Sequence, residues 1–284
     1  MNIIIDAAAQ TQDCYPLTVN KPNALMSVFN KTLLEHALSV AAKKSNNIII
    51  QIQKIHAGLF QQIGLPDSCQ IATDYILQPE DVLMDARHFY WNDEVFTIHY
   101  AWDLIKCQEK YAAEVVYCID PKSTIEPLAT LKGNVTVGAG TIIKNGVYIE
   151  GPVMIGENCT IGPNCYIRGN TSIGNNCRIG NAVEVKNAII GRGTNICHLS
   201  YFGDGIAGDR VNLGAGFINA NLRHDAQEMT TMLNGNKVPT GRNKLGAIIG
   251  DDVHTGINSL VYPGRKIWPH LSTNPGEIVS KDIL

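Results

Sequence analysis

From Ile125 to Val185 a large aliphatic side chain stands at every sixth residue, eleven positions without an interruption. Two residues before each stands a small or β-branched side chain, as in Val135, Val147, Cys159, Cys165 and Cys177, and a glycine often follows, as in Gly138, Gly156, Gly162, Gly174 and Gly180. A period of six is neither the 3.6 of an amphipathic helix nor the alternation of a hairpin strand. Self-similarity at so short a fixed interval predicts a solenoid of short parallel strands. Three six-residue sides make an eighteen-residue triangular coil, with the large residue inward, the small one near the corner and glycine allowing a tight bend. The expected fold is therefore a left-handed parallel β-helix of hexapeptide repeats.

The register drops one residue near Ile190 and another at Ala207, then runs on to Leu213. Residues 217–246 are polar and hold no hexapeptide register, after which Ile249, Thr255, Val261 and Ile267 resume it. Long excursions from a rigid scaffold commonly carry function. Before the repeat, residues 1–118 pattern as mixed α/β: a strand at 2–5, a helix near 31–43, a strand at 47–53 and a helical "YAWDLIKCQEKY". Two units are expected, a small α/β domain at 1–118 and the β-helix at 119–284 with its inserted loop.

Composition narrows the function classes. At 284 residues and 45% apolar content the chain can bury a substantial core, while 17% charged residues and a net charge of -3 give no footprint for nucleic acid or an anionic membrane. The first residues, "MNIIIDAAAQ", lack a basic leader region and no apolar run approaches a membrane span, which predicts a cytoplasmic protein. Eight cysteines without a CxxC pair indicate neither a zinc site nor a disulfide framework. Cys159, Cys165 and Cys177 fall in the small inward slot and read as core.

A few residues depart from the repeat. Arg168 and Lys186 each follow an inward aliphatic and lie one full coil apart, so they should stack, at a rung spacing of about 4.8 Å, with no acid between them. Two such cations could seat a phosphate dianion or be solvated surface charges. His198 follows two sides further round, with Tyr201 close behind and the asparagine-rich "INANLRHD" beginning the excursion. Cations, imidazole, phenol and amides in one region suit an anionic, hydroxylated substrate, with His198 as a general base. Cys197 should point away from the side His198 faces. A three-histidine metal site of His198, His224 and His254 is disfavoured by separations of 26 and 30 residues.

The segments "NCYIRGNTSIGNN", "IGNAVEVKNAIIG", "HLSYFGD", "VNLGAGFINANLRHD" and "GRNKLGAIIGDDVHTGIN" resemble the acetyltransferase half of the bifunctional enzymes that make UDP-N-acetylglucosamine, most of all their archaeal-type relatives. The resemblance implies a glucosamine-1-phosphate N-acetyltransferase using acetyl-CoA, without a metal for acetyl transfer, and a homotrimer with each site between subunits. It assigns Arg168 and Lys186 to the substrate phosphate, His198 to the general base, and Tyr201, Asn212, Asn221 and Lys244 to sugar and phosphate contacts. Two positions depart from the pattern: Cys197 stands where the family has Gly, and Gly205 where it has Ser or Ala.

The N-terminal third resembles a truncated sugar-1-phosphate nucleotidylyltransferase through "YPLT", "PNALMSV" and "NKTLLEHAL". The nucleotide loop has eroded: Ala9 and Thr11 replace glycines, Asp13 the catalytic arginine and Asn23 the lysine of the "PKAL" motif. An aspartate facing phosphates repels them, so nucleotidyl transfer is expected to be lost. The alternatives to the acetyltransferase are a catalytically silent sugar-nucleotide-binding protein or partner subunit, and residual nucleotidyl transfer.

Overall fold

The computed structural model describes residues 2–284 except 62, 64, 92 and 93. Residues from Cys118 onward wind into a left-handed parallel β-helix whose three faces are sheets of eight, six and eight strands. The first face runs from Cys118–Ile119 through Val153–Ile155 and Ile189–Ile190 to Lys266–Ile267, and the second from Thr124–Ile125 through Arg178–Asn181 and Asn195–His198 to Asn212–Leu213. The third carries Tyr148–Glu150, Tyr166–Arg168, Glu184–Lys186 and Tyr201–Gly203. Register between successive coils is eighteen residues early on, as in Ile149 beside Ile167, and seventeen later, as in Val185 beside Phe202. The residue lost from the repeat is lost at one corner, between the third and first faces, where Asn187 and Asp204 turn the chain.

The six-residue pattern is the core. Ile149, Ile167, Ile179, Val185 and Ile196 are fully buried, and Cys159, Cys165 and Cys177 lie among them. Burial pushes the Cys165 thiol up to about 12, as suits a packing group rather than a nucleophile. Of the glycines that follow an inward aliphatic, Gly162 takes the positive φ of a tight bend, at 99°, whereas Gly138, Gly156, Gly174 and Gly180 do not. Positive φ at the corners falls mainly on Asn158, Asn170, Asn176, Asn187 and Asp204, whose short polar side chains tolerate the left-handed region. Gly180 instead lies flat beneath the next coil, where a Cβ would collide with the Cys197 carbonyl, its carbon 2.7 Å away. Gly180→Ala should therefore destabilise the fold by about 1–3 kcal/mol, measured by denaturant unfolding; an unchanged midpoint would mean the coils separate freely there.

Residues before the β-helix form a four-stranded parallel sheet in the order Cys69–Ala72, Ile48–Gln51, Ile3–Asp6 and Val82–Asp85. The helix expected near 31–43 spans Leu33–Ala41, capped by reciprocal bonds between Thr32 and Glu35. The junction helix Asp103–Tyr111 lies on the first face of the β-helix, where Leu104 and Ile105 share a buried cluster with Ile189, Ile206 and Ile248. Gln108 locks it there: its amide donates to the carbonyls of Asn170 (2.7 Å) and Ala188 (3.1 Å) and accepts from the Ser172 hydroxyl (2.6 Å). A fully buried glutamine with both ends bonded carries little desolvation penalty.

The excursion is shorter than the sequence suggested. Phe217 is core and Ile218–Asn219 still pairs within the third face. Asn219, six residues after Leu213, fills the inward slot, where its side chain accepts from Gly203 N and donates to the Gly203 carbonyl, so the spacing holds but a polar residue stands where an aliphatic was expected. Beyond them the chain forms a hairpin, Thr230–Leu233 with Asn236–Pro239, held down by the buried Lys266 ammonium, which donates to Thr231 Oγ1 and the Met232 carbonyl. Among the described residues no helix is long and apolar enough to cross a membrane.

Candidate active site

Arg168 and Lys186 lie side by side in register on the third face, as the eighteen-residue spacing required. The expectation that no acid intervenes is overturned. Arg168 Nη1 stands 3.0 Å from Glu184 Oε1, and Lys186 Nζ 3.5 Å from Asp204 Oδ2. Glu184 is two residues before Lys186 and so on the same side of the strand, where alternation does not rank it above any other outward position, and Asp204 is one coil on, past a shortened corner that the period does not place. Glu184 holds the Arg168 guanidinium above its usual range. The result is a strip of two cations and two carboxylates, complementary to a ligand that bears both signs.

Tyr201 begins the next strand of the same face. Its hydroxyl accepts a 3.0 Å bond from Asn221 Nδ2, which leaves the phenolic proton free to donate. Burial, with Asp204 and Glu184 nearby, pushes that phenol above its ordinary value, so it stays protonated. Asn221 also donates to Asp204 Oδ2 at 2.5 Å. Asp204, with only 3% of its side chain exposed, is thus the hub that ties Lys186 to Asn221. No sequence pattern singled it out, although "FGD" after the tyrosine was the available signal.

The groove containing Arg168, Lys186, Asn187 and Asp204 measures about 560 Å³. Alongside it a second open groove of about 530 Å³ is lined by Tyr148, Tyr166, Glu184 and Tyr201. His198 sits at the other edge of this face, on the corner where the second face ends; it is exposed and in register with Asn181. The corner residue after it, Leu199, holds a φ of +50° with two-thirds of its side chain exposed.

The remaining residues are more dispersed. Lys244 is exposed and pairs through its backbone with Leu222, next to Asn221. Asn212 lies on the second face between Asn195 and His254 and does not join the cluster within one chain. Among the described residues no three His, Cys, Asp or Glu side chains gather as a metal site.

A single-chain β-helix of hexapeptide coils with a mixed-charge groove on one face defines the class of domain. Residues 149–278 match the model of the GMPPB C-terminal domain family. Over 95 residues the chain is 44% identical to the bifunctional sugar-1-phosphate nucleotidylyltransferase/acetyltransferase of Sulfurisphaera tokodaii, covering 34% of this chain and 24% of that protein. It is likewise 44% identical over 95 residues to the bifunctional protein GlmU of Methanococcus vannielii, covering 34% and 23%. The chain thus matches about a quarter of the length of these relatives. Among solved structures, an Arabidopsis UDP-N-acetylglucosamine acyltransferase aligns over 58% of this chain and 68% of its own at 16% identity and a TM-score of 0.29. The C-terminal part of the chain is similar to the acetyltransferase-type domain of these bifunctional proteins, as the motifs implied.

Proposed function

We propose that the chain is a coenzyme A-dependent N-acetyltransferase acting on an amino-sugar 1-phosphate, glucosamine 1-phosphate first and its galactosamine epimer second. The observation that carries this reading is the strip of Arg168 and Lys186 interleaved with Glu184 and Asp204. The two cations suit a phosphate, and the carboxylates, Tyr201 and Asn221 supply acceptors and donors for the amine and hydroxyls of the sugar.

In this reading the sugar amine attacks the thioester carbonyl of acetyl-CoA. The new C–N bond forms, the C–S bond breaks, and His198 takes the proton that the amine loses and returns it to the departing thiolate. No covalent enzyme intermediate is needed. Asn212 and Lys244 serve as further contacts to the substrate, and the homotrimer implied by the resemblance would place each site between subunits.

The first test is release of free thiol from acetyl-CoA. Turnover that depends on glucosamine 1-phosphate supports the proposal; a folded, silent chain returns it to a sugar-nucleotide-binding protein.

Nucleotidyl transfer is a separate matter, and the eroded loop argues against it. The Asn23 side chain accepts from Thr11 N at 2.8 Å and donates to Thr11 Oγ1 at 3.0 Å, while Gln10 Nε2 donates to the carbonyls of Thr18 and Val19. Groups that would have met a triphosphate bond one another instead. Incubation with UTP or dTTP, Mg²⁺ and a sugar 1-phosphate should release no pyrophosphate above background; release would restore the second activity.

A further inference from the structure

Beside Gln108 on the junction helix stands Glu109, which reaches the site corner without lining the groove. One Glu109 oxygen, Oε1, accepts from Asn187 Nδ2 at 2.7 Å, and the same amide nitrogen donates to Asp204 Oδ1 at 2.7 Å. Both partners of that nitrogen are carboxylates, which only accept, so the orientation of the Asn187 amide is fixed. Its Oδ1 is buried and has no hydrogen-bond partner.

The Glu109 carboxylate is clamped in turn by Arg242 of the excursion, through bonds of 2.8 and 2.6 Å, and only 8% of the Arg242 side chain is exposed. Arg242 Nε also donates to the Lys244 carbonyl at 3.1 Å. Glu109 is therefore bonded both to the corner that holds Asp204 and to the arginine that holds the backbone of Lys244.

We propose that Glu109 is a positioning residue for the sugar-phosphate site: through Asn187 it sets the Asp204 carboxylate against Lys186 and Asn221, and through Arg242 it sets the segment bearing Lys244. The N-terminal unit then contributes to the affinity of a site it does not line. This inference rests on the acetyltransferase reading of that site. The groups facing Glu109 explain why its charge is needed. Oε1 accepts from both Asn187 Nδ2 and Arg242 Nη2, and Oε2 accepts from Arg242 Nη1. A neutral glutamine has one acceptor oxygen and sets its amide donor against a donor, so either the Nη1 half of the arginine clamp opens or the Asn187 bond opens with the Nη2 half.

The test uses the full chain and the substitution Glu109→Gln, which conserves volume. The KM for glucosamine 1-phosphate should rise about tenfold, with kcat and the KM for acetyl-CoA nearly unchanged, a size typical of coupling between bonded neighbours. Asn187→Ala should raise the same KM, and the two substitutions together should raise it by less than the product of their separate effects. Lys110→Gln, which removes the neighbouring exposed pair with Glu94, should leave the kinetics alone.

A native KM in folded Glu109→Gln, or independent multiplication of the two effects, overturns the inference. Parallel losses in kcat and both KM values would also overturn it, since a mere docking role would act that way. If the native chain turns nothing over, the acetyltransferase reading falls first, and stabilisation by inorganic phosphate reads the coupling separately. A phosphate-dependent rise in melting temperature that is lost in both Lys186→Ala and Glu109→Gln supports the positioning role. A rise that Glu109→Gln retains, or none in the native chain, overturns it.

Discussion

His198→Ala should cut sugar-dependent thiol release about 100-fold or more while leaving the KM for glucosamine 1-phosphate within a few-fold of native. A positioned general base ordinarily contributes 10²–10⁴ to a rate, and an imidazole is the side chain suited to accepting an amine proton near neutral pH. The substitution is also structurally clean. His198 is exposed and, among the described residues, its imidazole takes part in no hydrogen bond, so its loss should shift stability by no more than about 0.5 kcal/mol. A rate reduced less than threefold would remove His198 from the mechanism and leave the amine proton to another group or to solvent. A lost rate accompanied by a lowered melting temperature would point to the corner at Leu199 rather than to the imidazole.

The combined substitution Arg168→Ala with Lys186→Ala should raise the KM for the sugar phosphate by about 100-fold or more, with little change in the KM for acetyl-CoA. A hydrogen bond to a charged group is worth about 1.5–3 kcal/mol, or roughly tenfold to a hundredfold in affinity for each cation. The surroundings add to this effect: once the cations are gone, Glu184 and Asp204 remain and face the phosphate unneutralised. The single substitutions should not combine as independent factors, because the cations are adjacent and share one ligand group. Lys186→Ala should cost more than Arg168→Ala, since Lys186 is the more enclosed of the two and its partner Asp204 is nearly buried. Steady-state kinetics with the sugar phosphate varied at saturating acetyl-CoA decides the matter; an unchanged KM would place the phosphate elsewhere on the molecule.

How far the site was legible turns on the forces that place each residue. The stacking of Arg168 on Lys186 needs only the coil length, which the spacing of the buried aliphatics sets, and so it could be read directly. Glu184 was equally available, two residues before Lys186 on the same side of the strand, but alternation ranks every outward position alike. Asp204 depends on a shortened corner, and Glu109 and Arg242 depend on how three separate pieces of chain dock. No periodicity carries that information.

The hexapeptide period by itself determined the β-helix, its inward residues and the inert place of three of its cysteines, because each coil repeats the same local solution to burying an aliphatic. The motifs likewise determined which residues were candidates for the site. Only the tertiary structure decided that most of the repeat glycines are there for close coil-to-coil stacking, that the two stacked cations carry their own carboxylates, and that the excursion is a docked hairpin reaching the junction helix. Those features arise where the chain meets itself across long separations, and the side chains that make them follow no period.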